Sequence, residues 1–293
     1  MNYTEKHIAI TGLGNGFIAD ALVEMLKKSY HVAYNDEAVL VLPGKPALWV
    51  KVLHGDIRDP KTFEPLDYKD DYLFHFGAPS SQILFQRKPE FCVDSTINGF
   101  INASKACKEH GIKLVYPSTG LLSTGETNAY ARCKKICEDL APKDALGLRI
   151  FASYGPQEAH KRDYASVPYL FIREMVKGKR PVIYGDGTQT RDLIYIDDVV
   201  NAILVLAEEC NDPIINIGSG RANSFNEVVD ITNKLLNKSL KPVYVDKPVD
   251  YVENTNANTG ALLKYYTPIV SLRQGIDNII KELKNEPAPI QHS

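Results

Sequence analysis

Short apolar segments alternate with amphipathic segments through roughly the first 150 residues of this 293-residue chain. His7–Thr11 has the composition of a buried strand, and Ile18–Lys27 behind it has the period of a helix. Further strand-like segments lie at 30–34, 48–53, 72–76, 113–117, 145–151 and 214–217, and a long helical segment lies at 94–110. Strands that alternate with helices form a mostly parallel sheet with helices on both faces. The sequence therefore predicts an α/β fold with a doubly wound sheet of about seven strands.

Two parts of the chain are less regular. Val39–Pro43 is strand-like, and its sequence leaves open whether it extends the second strand or forms a separate one. After about residue 157 the alternation loosens, and the periodicity predicts helices at 168–177, 224–236 and 271–283. The sequence shows no internal repeat.

The composition excludes several classes of partner. The formal net charge is −2 and 44% of the residues are hydrophobic, so neither nucleic acid nor an anionic membrane is expected as a partner. No apolar segment approaches the roughly 18 residues that a membrane span needs, and the N-terminus lacks an apolar signal region. The five cysteines are scattered, which favours free thiols in a reducing cytoplasm. No metal-binding motif is present, so no metal is expected.

A glycine-rich turn, Thr11–Ala19, separates the first strand from the first helix. Gly12, Gly14 and Gly16 would let the backbone approach a dinucleotide pyrophosphate at the helix N-terminus. Asp36 follows Gly16 by twenty residues, just beyond the second strand, where a carboxylate would accept hydrogen bonds from a ribose diol. It would repel a 2′-phosphate, so NAD is favoured over NADP. An aspartate in an ordinary polar turn is the alternative for this residue.

Tyr130 and Lys134 stand four residues apart, shortly after the strand end Val115–Thr119. On a helix, positions i and i+4 share one face, so both side chains can enter one pocket. A neighbouring ammonium favours the phenolate, so we expect the pKa of Tyr130 to fall below its usual value of about 10. Such a phenol can exchange a proton with a sugar or alcohol hydroxyl. The same spacing also arises by chance in many helices, so the surrounding motifs decide its meaning.

These motifs together resemble the extended short-chain dehydrogenase/reductase family, specifically its NAD-dependent nucleotide-sugar epimerases and dehydratases. The resemblance covers nearly the whole chain and is carried by Gly55–Asp59, Phe74–Ala78, Ser118-Thr119, Arg149–Pro156, Tyr184–Asp198 and Asn216–Gly220. His75 within the second of these segments is interpreted as a packed core histidine.

The resemblance implies a Rossmann-type sheet with a smaller, mixed α/β C-terminal region. The expected dinucleotide-binding domain is 1–156, with a strand and a helix from about 192–218, and the expected substrate-binding domain is 157–191 with 219–293. It also implies a homodimer that packs helices 94–110 and 128–140 of each subunit together. The apolar pattern Ile97, Ile101 and Ala106 fits such a contact, although core burial explains it equally well.

Residue roles follow from the same resemblance. The implied catalytic residues are Thr119, Tyr130 and Lys134. The implied contacts of NAD are Gly12, Gly14, Gly16, Phe17, Ile18, Asp36, Asp56, Ile57, Phe76, Gly77, Ala78, Tyr130, Lys134 and Phe151. The implied contacts of a nucleotide-sugar substrate are Ser80, Thr119, Ser153, Val167 and Arg191, with Arg191 on the diphosphate.

The sequence departs from the family pattern in a phosphate loop that is one residue longer and ends in Ala19, and at Thr96, Ala152 and Asn258. Family dehydratases and decarboxylases carry an acidic residue directly after the catalytic Ser/Thr, whereas Gly120–Leu122 follows Thr119 here. A 4,6-dehydratase is therefore disfavoured. We expect C4 epimerisation of a nucleotide-linked sugar with tightly held NAD. A 4-ketoreductase or dehydrogenase is the alternative, and a non-catalytic NAD-binding protein is less favoured because all three catalytic residues are present.

Overall fold

The computed structural model describes residues 3–14, 16–34, 47–125, 128–248 and 251–285. Its strands are β1 (His7–Thr11), β2 (His31–Tyr34), β3 (Ala47–Val52), β4 (Tyr72–His75), β5 (Lys113–Thr119), β6 (Leu146–Ile150), β7 (Ala152–Tyr154), β8 (Val182–Tyr184), β9 (Thr190–Tyr195), β10 (Ile214–Ile217), β11 (Ala222–Ser224) and β12 (Val243–Val245). Its helices are α1 (Phe17–Ser29), α2 (Gln82–Arg87), α3 (Pro89–His110), α4 (Leu121–Thr124), α5 (Ala129–Leu140), α6 (Val167–Val176), α7 (Ile196–Glu209), α8 (Phe225–Leu236) and α9 (Leu272–Asn285). Short 3₁₀ segments lie at Pro60–Phe63, Ala159–Tyr164 and Leu262–Lys264.

The main sheet of the described chain has seven strands in the order β2-β3-β1-β4-β5-β6-β10, and every neighbouring pair is parallel. The seven predicted strands and the doubly wound parallel sheet are confirmed. β3 and β2 lie on one side of β1, and β4, β5, β6 and β10 lie on the other side, so the order in which the chain adds strands reverses at β1. In such sheets a ligand binds beyond the carboxyl ends of the strands where this direction changes.

Helices cover both faces of the sheet because the strands are apolar on both sides. Along β1, Ile8 and Ile10 belong to one buried cluster, which also holds residues of α1 and α7. Ala9 between them belongs to a second cluster with Phe100 and Cys107 of α3. The alternation of side chains along one strand thus supplies both layers of the core.

The later part of the chain adds two small sheets, β11-β9-β7 and β12-β8. The sequence did not predict these strands, most of which have only three residues, although the helices near 168–177, 224–236 and 271–283 are confirmed. The proposed division into two domains stays a prediction. Val39–Pro43 and Asp36 lie outside the described residues. Among the helices that are described, none is both long and apolar enough to cross a membrane.

Two buried carboxylates fasten the C-terminal segment to the rest of the fold. Asp192 of β9 accepts hydrogen bonds from the backbone N–H groups of Ser219 at 2.6 Å, Gly220 at 2.9 Å and Ala257 at 2.9 Å. Asp198 of α7 accepts from the Tyr266 hydroxyl and from the backbone of residues 269 and 270, at 2.6–3.0 Å. Backbone N–H groups that would otherwise be unsatisfied are therefore paired with charge-assisted bonds.

Candidate active site

The glycine-rich turn between β1 and α1 forms a close-packed cradle. A Cβ on Gly12, whose φ is +87°, would lie 2.8 Å from the carbonyl group of Phe76, and a Cβ on Gly16 would lie 2.2 Å from the Gly12 oxygen. Only glycine fits at both places. Gly16 precedes the first residue of α1, and no described side chain caps this helix end. A dinucleotide pyrophosphate could accept hydrogen bonds from this helix N-terminus, where the Asp20 carboxylate accepts from the Gly14 backbone N–H at 2.6 Å.

Thr11, which the sequence interpretation missed, joins the ends of β1 and β4. Its hydroxyl oxygen accepts a hydrogen bond from the Gly77 backbone N–H at 3.0 Å and lies 3.0 Å from Nδ1 of His75. His75 is buried, as predicted for a core histidine. Burial, with a smaller contribution from Lys134, lowers the pKa of His75 to about 3. The sequence signal for this contact was a threonine at the end of the first predicted strand and a histidine at the end of the fourth.

The predicted adenosine contacts Asp56 and Ile57 follow β3. The Asp56 carboxylate accepts from Nη2 of Arg58 at 2.5 Å and from Nε at 3.0 Å, and the side-chain hydrogen bond of Arg58 lowers the pKa of Asp56 to about 2. Ile57 is buried against Gly99 of α3, where an added Cβ would lie 2.6 Å from the Ile57 side chain. The sequence did not predict that Arg58 would pair with Asp56. Asp36, the predicted ribose contact, lies outside the described residues, so its role stays a prediction.

The three predicted catalytic residues come together at the carboxyl end of β5. Thr119 is the last residue of this strand, and Tyr130 and Lys134 lie one turn apart on α5. Asn128 caps the start of α5, because its side-chain oxygen accepts from the Ala131 backbone N–H at 2.9 Å. Lys134 is buried, and its Nζ lies 5.9 Å from the centre of the Tyr130 ring. The helix therefore delivers a phenol and an ammonium to the same place, as the spacing predicts.

The expected direction of the Tyr130 pKa shift is wrong for this structure. Burial raises the pKa of Tyr130 to about 12, and a hydrogen bond with Thr119 offsets this only in part. The ammonium of Lys134 stands beside the ring, and burial lowers its own pKa. Desolvation, which sequence spacing does not report, is the largest cause of both shifts.

A small cavity of about 10 Å³ adjoins Lys134, close to the least space that admits one water. Its lining includes His75 and Thr96. Nε2 of His75 and the hydroxyl oxygen of Thr96 are both buried and have no hydrogen-bond partner among the described residues. Thr96, one of the departures from the family pattern, therefore places a polar group in the cavity that Lys134 also lines.

Phe85 of α2 is a further residue that the sequence interpretation missed. Its ring packs edge-on against Tyr130 with 5.4 Å between the ring centres. On the same helix, Arg87 donates a hydrogen bond to the Tyr164 hydroxyl at 3.0 Å. The segment after β4 thus forms one wall beside the phenol. The sequence signal that could have predicted this contact is an apolar residue shortly after the end of β4, where cofactor contacts were expected.

The predicted cofactor residues cluster more tightly than the predicted substrate residues. Phe76 and Gly77 contact the phosphate loop, and Phe151 packs on Gly120, where an added Cβ would lie 2.6 Å from the Phe151 ring. The remaining predicted cofactor residues lie at the phosphate-loop helix (Gly14, Phe17 and Ile18) and after β4 (Ala78). The five predicted substrate residues are spread over four elements and one loop: Thr119 on β5, Ser153 on β7, Val167 on α6, Arg191 on β9, and Ser80 between β4 and α2.

Arg191 is held firmly in its place on β9. Its guanidinium donates to the carbonyl oxygens of Val252 at 2.6 Å and Glu253 at 3.0 Å. It also stacks between the rings of Phe225 and Tyr251, at 5.3 and 5.5 Å from their centres. This cation is therefore preorganised by backbone and aromatic contacts.

A model of the NAD-dependent epimerase/dehydratase family matches residues 8–218. The chain belongs to the NAD-dependent epimerase/dehydratase family. The predicted family, the predicted enzymatic class and NAD as cofactor are thereby confirmed. The glycine turn is compatible with that cofactor, because nothing in the described structure lies within 4 Å of a Cβ added at Gly14, while Gly12 and Gly16 keep the turn tight against its own backbone and that of Phe76.

Relatives and solved structures agree with this family. The chain is 28% identical over 308 residues to a Methanocaldococcus jannaschii protein named "Putative UDP-glucose 4-epimerase", covering 95% of this chain and 98% of the relative. It is 29% identical over 330 residues to UDP-N-acetyl-alpha-D-glucosaminuronate decarboxylase of Bacillus cytotoxicus, covering 96% and 100%. The fold superposes on UDP-glucose 4-epimerase of Thermotoga maritima with a TM-score of 0.81, at 24% identity and with 95% and 98% of the chains covered. The Rossmann-type fold is confirmed.

Proposed function

We propose that this protein is an NAD-dependent epimerase that inverts C4 of a nucleotide-linked sugar through a transient keto intermediate. The observation that carries the proposal is the cluster of Thr119, Tyr130 and Lys134 without a carboxylate among residues 118–125. Hydride transfer combined with one proton transfer needs a single acid–base group, and the phenol supplies it. Dehydration needs a further acid or base next to Thr119, which this stretch lacks.

When bound, NAD would supply the hydride acceptor for the first half of the reaction and, as NADH, the hydride donor for the second. Tyr130 would take the proton of the sugar hydroxyl in the first half of the reaction and give it back in the second. Thr119 would hold the same substrate oxygen by a hydrogen bond, and Lys134 would hold the nicotinamide ribose. A positive charge next to the phenol lowers its pKa, so we expect the value of about 12 to fall when the cationic form of the cofactor binds.

We propose that the nucleotide is UDP, since relatives and a solved neighbour are named for UDP-linked sugars. Arg191 would bind the diphosphate, and Ser80, Ser153 and Val167 would contact the substrate. The two aromatic rings fix the guanidinium, so a diphosphate contact would cost little side-chain entropy, but it would compete with the backbone carbonyl oxygens to which Arg191 donates. The contact of Asp36 with the adenosine ribose belongs to the same proposal.

Two other enzymatic activities have some support. A 4-ketoreductase or dehydrogenase would need the same three catalytic residues, and tight binding of NADPH would favour it. The relative from Bacillus cytotoxicus is a decarboxylase, so loss of a carboxylate from a uronic acid is the second alternative. A non-catalytic role is opposed by the preserved cluster of Thr119, Tyr130 and Lys134.

One experiment separates these activities. The purified protein is denatured, and the released nucleotides are identified by mass spectrometry. The protein is then incubated with UDP-glucose, UDP-N-acetylglucosamine and UDP-glucuronate in D₂O and followed by proton NMR. A 4-epimerase forms the C4 epimer without solvent deuterium at C3 or C5 and without net NADH. A pentose product would show the decarboxylase, and a requirement for added NADPH would show the reductase.

We also propose a homodimer and a cytoplasmic location. Phe91 and Val93 on α3, and Ile136 and Leu140 on α5, are apolar and 37–51% exposed, and the two helices pack side by side. A surface of this kind fits a helical interface between subunits. Light scattering of the wild type and of Leu140→Glu would test the proposed dimer, since only the wild type should be dimeric.

The proposed cytoplasmic location is supported by the five free cysteines, which fit a reducing compartment.

A further inference from the structure

Glu138 continues the stripe of α5 that begins with the catalytic pair. Tyr130, Lys134 and Glu138 follow one another at four-residue intervals, so they lie on the same side of the helix. Although Glu138 carries a charge, only 2% of its side chain is exposed. A buried carboxylate costs free energy unless it is paired, so its partners indicate why it is there.

Those partners lie at the ends of two adjacent strands. One carboxylate oxygen of Glu138 accepts from the Ser118 hydroxyl at 2.6 Å and from Nε of Arg149 at 2.8 Å, and the other accepts from Nη2 of Arg149 at 2.7 Å. Ser118 and Arg149 are register partners on β5 and β6. Glu138 therefore joins the catalytic helix to both strands, one residue before Thr119.

The other buried side chains of α5 are small, and they contact α2 and α3 as well as the sheet. Its buried residues besides Lys134 are Ala131, Cys133 and Cys137. Apart from a weak hydrogen bond from the Cys137 thiol to the Thr96 carbonyl oxygen at 3.6 Å, contacts of this kind do little to fix the rotation of the helix or its position along its axis, because hydrophobic attraction has no direction. A two-pronged guanidinium–carboxylate bond has a defined direction. On α5 it is Glu138 that supplies this directional contact behind the catalytic pair.

We infer that Glu138 is a positioning residue, which sets the rotation of α5 and so places Lys134 and Tyr130 relative to Thr119. This inference rests on the catalytic roles proposed above. Arg149 extends the link, since its Nη1 lies 3.5 Å from the Ser123 hydroxyl, which donates to Asn216 at 2.8 Å. The position of α5 is thereby tied to α4 and to β10.

Cofactor binding tests the inference without any sugar substrate. Lys134 is proposed to hold the nicotinamide ribose, whereas ADP uses the phosphate loop and the adenosine end alone. Glu138→Gln keeps the side-chain shape but removes the two-pronged ion pair. Calorimetry should show NADH binding weakened by roughly fivefold to twentyfold and ADP binding changed by less than about twofold, as expected for a loss of geometry at one end of the ligand.

The neighbouring Asp139→Asn is the matched control, because Asp139 pairs with exposed Lys135 on the solvent side of the same helix. Ser118→Ala removes one hydrogen-bond partner of Glu138 and should weaken NADH binding by a smaller factor. This second variant provides the test if Glu138→Gln folds poorly. Where UDP-glucose is turned over, kcat should fall about tenfold or more while KM stays within about threefold. The inference would be overturned if Glu138→Gln weakened the binding of NADH and ADP equally, or if NADH binding were unchanged in both variants. A wild type that binds NADH but turns over no sugar would count only against the proposed function.

Discussion

The Lys134 ammonium lies 5.9 Å from the centre of the Tyr130 ring, one helical turn further along α5. Both groups are desolvated, and burial moves their pKa values towards the neutral forms: upward for the phenol and downward for the ammonium. A neutral phenol held near an ammonium and Thr119 is suited to giving and taking one proton.

Tyr130→Phe tests that role. If the phenol is the acid–base group, the substitution should lower kcat by about 10²–10⁴ while leaving the affinity for NADH almost unchanged. The exposed Tyr68 provides the control, since Tyr68→Phe should behave like the wild type. A loss of less than about fivefold, with cofactor and substrate binding intact, would remove Tyr130 from this role.

Gly16→Ala should weaken the binding of NADH. The added Cβ would lie 2.2 Å from the Gly12 oxygen, so the phosphate loop would have to shift. We expect a loss of roughly tenfold or more in affinity, measured by fluorescence titration. Gly260→Ala is the matched control, since its Cβ would meet only the Asn258 side chain at 3.3 Å. If both variants bind NADH equally well, the turn is not the pyrophosphate site.

His75 should make the protein sensitive to acid. The pKa of His75 is about 3 in the folded protein and about 6.5 in an unfolded chain. Because the unfolded chain binds a proton that the folded chain excludes, stability that is present above pH 6.5 or so is lost as the pH falls towards 3.

The change in the free energy of unfolding between pH 7 and pH 4, measured with urea, should therefore be about 2–4 kcal/mol smaller for His75→Asn than for the wild type. Substitution of the exposed His54 by Asn should leave that pH dependence nearly as it is. An identical pH dependence in His75→Asn and the wild type would contradict this account of the buried histidine.

Asp198→Asn should destabilise the fold. The amide group cannot replace all three of the hydrogen bonds that the carboxylate accepts from Tyr266, Ile269 and Val270. We expect a loss of about 1.5–3 kcal/mol in the free energy of unfolding. Asp197→Asn, at the adjacent position of α7, should cost much less. Similar losses in the two variants would show that the helix terminus, and not the link to the C-terminal segment, is responsible.

Sequence periodicity predicted the elements that are long and buried. The strand His7–Thr11 and the end of α3 at His110 carry strong local patterns, so they needed no tertiary information, whereas α3 begins at Pro89 and not at the predicted Asp94. The three-residue strands β7, β8, β11 and β12 have no such pattern. They form because long-range contacts, such as those of Asp192 with residues 219, 220 and 257, hold separate segments together.

At the site, local spacing predicted which residues would meet but not how burial would change them. The helical interval placed Tyr130 and Lys134 on one face, and the glycine spacing marked the cradle. The raised pKa of Tyr130 depends on desolvation by segments distant in the chain, including the wall formed by Phe85. Glu138 was also inaccessible to pattern analysis, because its partner Arg149 lies on another strand.

The fate of the hydrogen on C4 tests the central proposal most directly. UDP-glucose carrying deuterium at C4 is incubated with the protein in ordinary water, and the product is analysed by NMR and mass spectrometry. Epimerisation by Tyr130 and bound NAD predicts UDP-galactose that keeps the deuterium at C4, with no exchange at C3 or C5 and no accumulation of NADH. Loss of the label from C4 to solvent, or NADH formed in proportion to a product that is not the C4 epimer, would contradict it.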